Sequence, residues 1–271
     1  MARSPQSRLP HVPSLKRANR MLAVLRLVNA SGPVTAAQLE AELRVSAATL
    51  RRDLAEMHDQ GLLIRTRGGA APLPSHAEVP VQLRDLESRE VKHRLAVKAA
   101  ELLPTGRRTI ALTGGTTTAE LARALAHRRQ LTVVTNALPI AMELASQPAA
   151  RVVMVGGVVR PVSLELVGPL AEQAYEVLDV DLAVLGVDGF SAGGGATTHD
   201  EAEARISRIM ARRAPQVMVV ASGDKIGRVT PARMADPGGV GVLVTDSSAD
   251  PAELQRLRAA GVAVHLVEPR R

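Results

Sequence analysis

The chain has 271 residues, too many for one small domain and a natural length for two. It carries a net charge of +7, no cysteine, and only Tyr175 and Phe190 as aromatic residues. Disulfides and thiolate zinc sites are therefore excluded, and single-stranded nucleic acid cannot be held on aromatic platforms. The seven histidines show no metal-ligand spacing, and no apolar run approaches the roughly 18 residues a membrane span needs.

Residues 1–15, rich in Pro, Ser and Arg, read as a disordered basic tail with no apolar core of a signal peptide. A helix follows, marked by Met21, Val24, Leu25 and Val28 and closed by Ser31-Gly32-Pro33. Thr35 and Gln38 form an S/T-x-x-E/Q capping box that starts the next helix, with Leu39 and Leu43 as its apolar stripe. Arg44-Val45 is short enough only for a turn, and Ser46 is a good N-cap. In the helix that Ser46 opens, Ala47, Leu50, Leu54 and Met57 recur at core spacing, leaving Thr49, Arg51 and Arg52 off the buried stripe near its N-terminal end. That is where a recognition helix offers residues to the DNA major groove. Gly61 then precedes Leu62-Leu63-Ile64-Arg65-Thr66-Arg67-Gly68-Gly69, read as a two-stranded wing with Arg65 and Arg67 beside the phosphates. An ordinary three-helix bundle with solvated arginines is the alternative.

Charge favours DNA. Residues 1–70 hold 11 Lys and Arg against 5 Asp and Glu, and the other 201 residues hold 23 against 22. Nearly all of the surplus lies in the first quarter, where phosphate neutralisation needs it.

Ala70 to His76 breaks both periodicities, and 71–88 reads as a linker between a reader domain at 16–70 and a second domain at 89–271. There, a helix from Arg89 to Leu103 is followed by apolar strands at 109–112, 131–134, 152–155, 182–187, 217–221, 240–244 and 262–267. Helical stretches lie between several of them, at 118–126, 138–145, 169–178, 201–213 and 251–260. Such alternation predicts an α/β domain with a mainly parallel, Rossmann-like sheet covered on both faces. Ligands of such sheets bind at the carboxyl ends of the strands. Those ends carry Gly114-Gly115-Thr116-Thr117-Thr118, Asn136, Gly156-Gly157 with Arg160, Asp188, and Lys225. Two glycines, three hydroxyls and a following helix N-terminus have the makings of an anion cradle, although neither a Walker A nor a dinucleotide fingerprint is present. The bland alternative is a tight strand-to-helix turn. Arg160 and Lys225 add positive charge, while Asp188 and Glu203 can accept from sugar hydroxyls.

Across residues 16 to 267 the sequence resembles the DeoR family of bacterial transcriptional regulators. The resemblance is carried first by Val45-Ser46-Ala47-Ala48-Thr49-Leu50-Arg51-Arg52-Asp53-Leu54 and Gly61 to Ala70. In the second domain it is carried by Gly115-Thr116-Thr117-Thr118, Val133-Val134-Thr135-Asn136, Gly156-Gly157, Leu166-Val167-Gly168-Pro169, Gly186-Val187-Asp188-Gly189, Ala196-Thr197-Thr198 with Glu203, and Asp224-Lys225-Ile226-Gly227. It implies a winged helix-turn-helix followed by a sensor domain related to ribose-5-phosphate isomerase. It implies further that Thr49, Arg51 and Arg52 serve an operator in double-stranded DNA, where the cap residue Ser46 and the wing residues Arg65 and Arg67 are expected to join them, and that the strand-end residues bind a phosphorylated sugar. A cytoplasmic homo-oligomer that represses a sugar operon, without cofactor or catalysis, is the expectation. One departure stands out: where the family usually has Asp-Ser before Gly-Thr-Thr, this chain has Thr113-Gly114, so one carboxylate expected on a sugar hydroxyl is missing. The competing expectation is a sugar-phosphate isomerase with an appended DNA module, with Glu203 as base. Against it, neither Leu185 nor the Gly193-Gly194-Gly195-Ala196 run supplies the further acid and lysine such an enzyme uses.

Overall fold

The computed structural model describes residues 15–73, 78–84 and 88–268. It divides into two compact units, Met1–Leu86 and Glu87–Arg271.

The described part of the first unit runs α1 (Leu15–Ser31), β1 (Val34–Thr35), α2 (Ala36–Leu43), α3 (Ala47–Asp59), β2 (Ile64–Thr66), β3 (Gly69–Ala71) and α4 (Val81–Arg84). The local chemistry forms as read. Thr35 and Gln38 make both halves of the capping box, and Arg44 ends α2 in the left-handed region at φ 52°. Ser46 caps α3 by accepting from the backbone of Thr49. Met21, Val24, Leu25, Val28, Leu39, Leu50, Leu54 and Met57 join one core.

Three readings need correction. Ala47 is exposed, because the first turn of α3 projects past the core that Leu50, Leu54 and Met57 enter. The wing is a three-stranded sheet in the order β1-β3-β2, since the residues before α2 pair with Gly69 and Ala70. Gly69 permits this: a β-carbon there would overlap the backbone of Val34 and Thr35. Within the segment read as linker, α4 brings Leu83 into the first unit's core. The proposed tail lies outside the described residues except for Leu15, which begins α1.

The second unit opens with α5 (Arg89–Leu102), β4 (Arg108–Leu112), α6 (Thr116–Leu125), β5 (Leu131–Thr135), α7 (Leu138–Ala145) and β6 (Arg151–Met154). It continues with β7 (Val158–Arg160), β8 (Glu165–Val167), α8 (Pro169–Glu176), β9 (Leu182–Gly186), β10 (Gly189–Ser191), β11 (Gly195–Thr198) and α9 (Glu201–Arg212). It ends with β12 (Val217–Val220), β13 (Ala232–Ala235), β14 (Val242–Asp246), α10 (Pro251–Ala259) and β15 (Ala263–Val267).

All seven strands read from the sequence enter one sheet, in the order β15-β14-β12-β9-β4-β5-β6, and every pairing in it is parallel. Alternate side chains feed two cores. Ile110, Leu112, Val133 and Val184 pack with Leu95, Leu121 and Ile140 of α5, α6 and α7. Ala111, Val134, Leu185 and Val219 pack with Tyr175, Ile206 and Leu254 of α8, α9 and α10. Burial on both faces explains why the strands read as continuous apolar runs. Two smaller sheets escaped the sequence reading: the β7–β8 hairpin and the antiparallel β10-β11-β13 ribbon. Their strands are three or four residues long, too short to show a period.

Strand order reverses direction between β4 and β9. From β4 the chain winds outward through β5 and β6, then returns to β9 and winds the other way through β12, β14 and β15. The crevice at the carboxyl ends of β4 and β9 is therefore the topological switch point, where open parallel sheets take their ligands.

Candidate functional site

Two places carry chemistry. The first is the outer face of α3 with the wing. Arg51 and Arg52 are exposed, as are Arg65, Thr66, Arg67 and Gly68 around the β2–β3 turn. The Arg51 Nε donates to the carbonyl of Ala47 at 3.3 Å, and Ser46 Oγ lies 3.0 Å from Thr49 Oγ1 as part of the cap. Among the described residues none of these four arginines makes a salt bridge. The opposite face of α3 hides a charge that hydrophobic periodicity did not reveal. Asp53 is 2% exposed and pairs with the Nε of Arg17 at 3.0 Å and of Arg20 at 2.5 Å. Partial burial lowers the basicity of Arg17, but its hydrogen bond to Asp53 and the charges of Glu56 and Asp53 outweigh this and push the guanidinium pKa up. Arg17 and Arg20 thus tie α1 to α3, and part of the basic surplus counted in the sequence is structural.

The second place is the switch point. Helix α6 begins two residues earlier than its apolar pattern suggested, so Thr116, Thr117 and Thr118 form its first turn and Gly115 is its N-cap at φ 123°. No side chain caps the helix, so its first-turn N–H groups have no side-chain acceptor, the arrangement that suits a helix N-terminus to an anion. Thr118 is turned inward, donating to the carbonyl of Gly115 at 2.9 Å. Thr113 stitches the crevice together: its Oγ1 accepts from the Gly186 backbone at 2.9 Å and donates to the Gly114 carbonyl at 3.3 Å.

The β7–β8 hairpin walls this crevice. Its Glu165 bridges in register to Ala137 just beyond β5, and the backbone of Leu166 donates to the Asn136 carbonyl at 2.8 Å. Arg160 and Glu165 are direct cross-strand partners, so both side chains leave the same face of the hairpin. Arg160 reaches Glu203 at 3.0 Å and Asp200 at 3.1 Å, both at the start of α9. Glu203 also accepts from Thr198 at 3.3 Å, and Thr198 lies 3.0 Å from Asp188. Asp188 in turn meets His199 at 3.0 Å and the Lys225 ammonium at 3.6 Å, while Lys225 donates to the Val187 carbonyl at 2.6 Å. One network therefore joins Arg160, Asp188, Glu203 and Lys225 from four separate strand or helix ends.

Asn136 is fully buried and donates its amide nitrogen to Glu165 and to the Leu166 carbonyl, each at 3.0 Å. Gly114 lies against Glu165, whose side chain occupies the space a β-carbon on Gly114 would need. Gly156 borders open space, whereas Gly157 is required by packing: a β-carbon there would sit 2.8 Å from the Val167 carbonyl. Sequence reasoning missed Glu165, His199 and Asp200 as members of the site, and met Thr198 only within a family-like stretch. The Thr113-Gly114 departure was the available signal for Glu165, since an emptied position invites a neighbour to fill it.

The two units are a basic helix-turn-helix domain and a doubly wound α/β domain. A family profile described as the DeoR-like helix-turn-helix domain matches residues 20–75, and one described as the DeoR C terminal sensor domain matches residues 87–247. The HTH-type transcriptional regulator GlpR of Haloferax volcanii is 34% identical over 248 residues, covering 91% of this chain and 96% of that one. The glycerol-3-phosphate regulon repressor of Escherichia coli K12 is 31% identical over 233 residues, covering 86% and 92%. Among solved structures, ribose 5-phosphate isomerase from Plasmodium falciparum aligns over 51% of this chain and 52% of its own, with 10% identity and a TM-score of 0.38, too slight a likeness to bear on function. The chain belongs to the DeoR family of transcriptional regulators.

Proposed function

We propose that this protein represses a carbohydrate-catabolism operon and releases it when a phosphorylated sugar binds at the switch point. The observation that carries this reading is a pair of features in one family chain: exposed arginines on α3 and the wing, and an uncapped helix N-terminus at the topological switch point. In the reader, Arg51, Arg52 and Thr49 meet the major groove, Ser46 orients that end of the helix, and Arg65 and Arg67 neutralise phosphates. In the sensor, Gly115, Thr116 and Thr117 receive the phosphate with Gly114 and Thr118 shaping the turn. Asn136, Arg160, Asp188, Glu203 and Lys225 surround the sugar, with Gly156 and Gly157 at the hinge of the hairpin. The relative named for the glycerol-3-phosphate regulon supports a phosphorylated polyol as the signal.

A homo-oligomer in the cytoplasm fits the same reading. Met142 on α7 and Val158 and Val159 on β7 are large apolar residues left exposed, and a second copy can cover them. Among the described residues no helix is long and apolar enough to cross a membrane. Isomerase chemistry is disfavoured because Glu203, the only base proposed for it, is held by Arg160 and Thr198.

The test is a fluorescence-anisotropy titration of sugar phosphates into the complex of the full protein with DNA from upstream of its own gene. A coupling of about 1–3 kcal/mol suffices for regulation, so an affinity change of roughly fivefold or more is expected for at least one sugar phosphate. No response from a folded, DNA-bound protein would remove the sensor function.

A further inference from the structure

We propose that Glu165, held by Asn136 over Gly114, sets the specificity of the effector site by selecting phosphorylated ligands that present hydroxyl donors to that wall. This rests on the effector reading above.

Glu165 is 7% exposed, and Asn136, which donates to it, is 0% exposed. The two hydrogen bonds from the Asn136 amide, to Glu165 and to the Leu166 carbonyl, fix which end of that group is nitrogen. Its carbonyl oxygen is consequently an acceptor, and it is buried without a hydrogen-bond partner. A buried acceptor left unsatisfied is costly, and a donor from a ligand removes the cost. The carboxylate of Glu165 likewise only accepts. A wall built from these two groups complements donors, and a phosphate or carboxylate offers none.

Charge points the same way. Among the described residues, the wall and network bring together four carboxylates, Glu165, Asp188, Asp200 and Glu203, with the cations Arg160 and Lys225, each already paired with acid, and the imidazole of His199. A small anion entering beside Glu165 meets net repulsion, whereas a hydroxyl does not. Gly114 is what lets the carboxylate reach this place, because any side chain there would displace it. Thr113 cannot substitute for Glu165: it is 2% exposed and its hydroxyl is spent between Gly186 and Gly114. The ligand therefore lies with its phosphate at the α6 N-terminus and its hydroxyl-bearing end toward Glu165 and Asn136.

The chain contains one tyrosine, Tyr175, and no tryptophan; burial, and then the charge of Glu165, push the Tyr175 pKa up, and its fluorescence is followed alongside the calorimetry. The full-length protein is titrated by calorimetry and by that fluorescence with propyl phosphate, sn-glycerol 3-phosphate, D-ribose 5-phosphate and D-fructose 6-phosphate. At least one polyol phosphate is expected to bind about tenfold or more tightly than propyl phosphate. In Glu165→Gln the ratio falls to about threefold or less, and propyl phosphate itself binds more tightly because a negative charge has gone. Gly114→Ser, which drives Glu165 from its place, collapses the ratio in the same way, with circular-dichroism melts confirming that both variants fold. A preference that survives in the folded Glu165→Gln protein overturns the assignment while leaving the effector reading intact. Failure of every phosphate to bind the unaltered protein overturns both.

Discussion

The two units use arginine in opposite ways. On α3 and the wing, Arg51, Arg52, Arg65 and Arg67 are exposed and make no salt bridge among the described residues. At the switch point Arg160 is 20% exposed and held by two carboxylates. A surface meant for a polyanion keeps its cations available, since each phosphate contact releases counterions and strengthens binding. A pocket meant for a small polyhydroxylated ligand fixes its cations in a network, so that position rather than net charge discriminates. The same contrast appears within the reader itself, where Arg17 and Arg20 are committed to Asp53 and so belong to the scaffold.

That contrast can be broken most severely at Asp53. Asp53→Ala leaves two guanidinium groups without their buried partner, and we expect a loss of about 3 kcal/mol in the stability of the reader unit. Urea unfolding followed by circular dichroism checks this, and a loss below about 1 kcal/mol would show that the pairs are ornamental. Arg51→Ala comes next, with a cost of about 1–3 kcal/mol on specific DNA and relaxed preference at one base position. Equal weakening on specific and random DNA would reduce Arg51 to a phosphate contact. Arg65→Ala is expected to lower the slope of log affinity against log salt by about 1 without altering sequence preference.

Lys225→Ala sharpens the comparison from the other side, because it frees Asp188 from its cation. The effector concentration needed for half-release of DNA should rise about tenfold or more, and DNA affinity measured on the same sample controls for misfolding. The smallest effect concerns pH. The hydrogen bond from Arg208, helped by the charges of Arg208 and Arg205, holds the Glu201 carboxyl below its ordinary pKa against the opposing effect of burial. A depressed acid contributes stability above its unfolded pKa and loses it as pH falls through the folded value. Glu201→Gln should thus lower the melting temperature slightly at pH 7 and not at all once the pH is below the carboxylate range.

Much of the scaffold was legible because it is local. The Thr35–Gln38 capping box, the Ser46 cap and the apolar stripe of α3 involve residues three or four apart, and each formed as read, apart from Ala47. The seven central strands were legible because burial on both faces forces continuous apolar runs. The start of α6 was misplaced because glycine and threonine carry no hydrophobic period, and the hairpin strands were missed because three residues are too few to show one. The ion pairs were out of reach: Arg160 and Glu203 lie 43 residues apart, and Asn136 and Glu165 lie 29 apart. Nothing in either neighbourhood names the partner.

By itself, then, the sequence determined the order of elements, the exposed arginines of α3 and the wing, and which strand ends bear polar chemistry, all of which follow from periodicity and caps written in neighbouring residues. Only the tertiary structure decided which arginines are spoken for, and that Glu165 fills the room Gly114 leaves. Pairing of charges and occupation of space depend on which distant segments the sheet brings side by side.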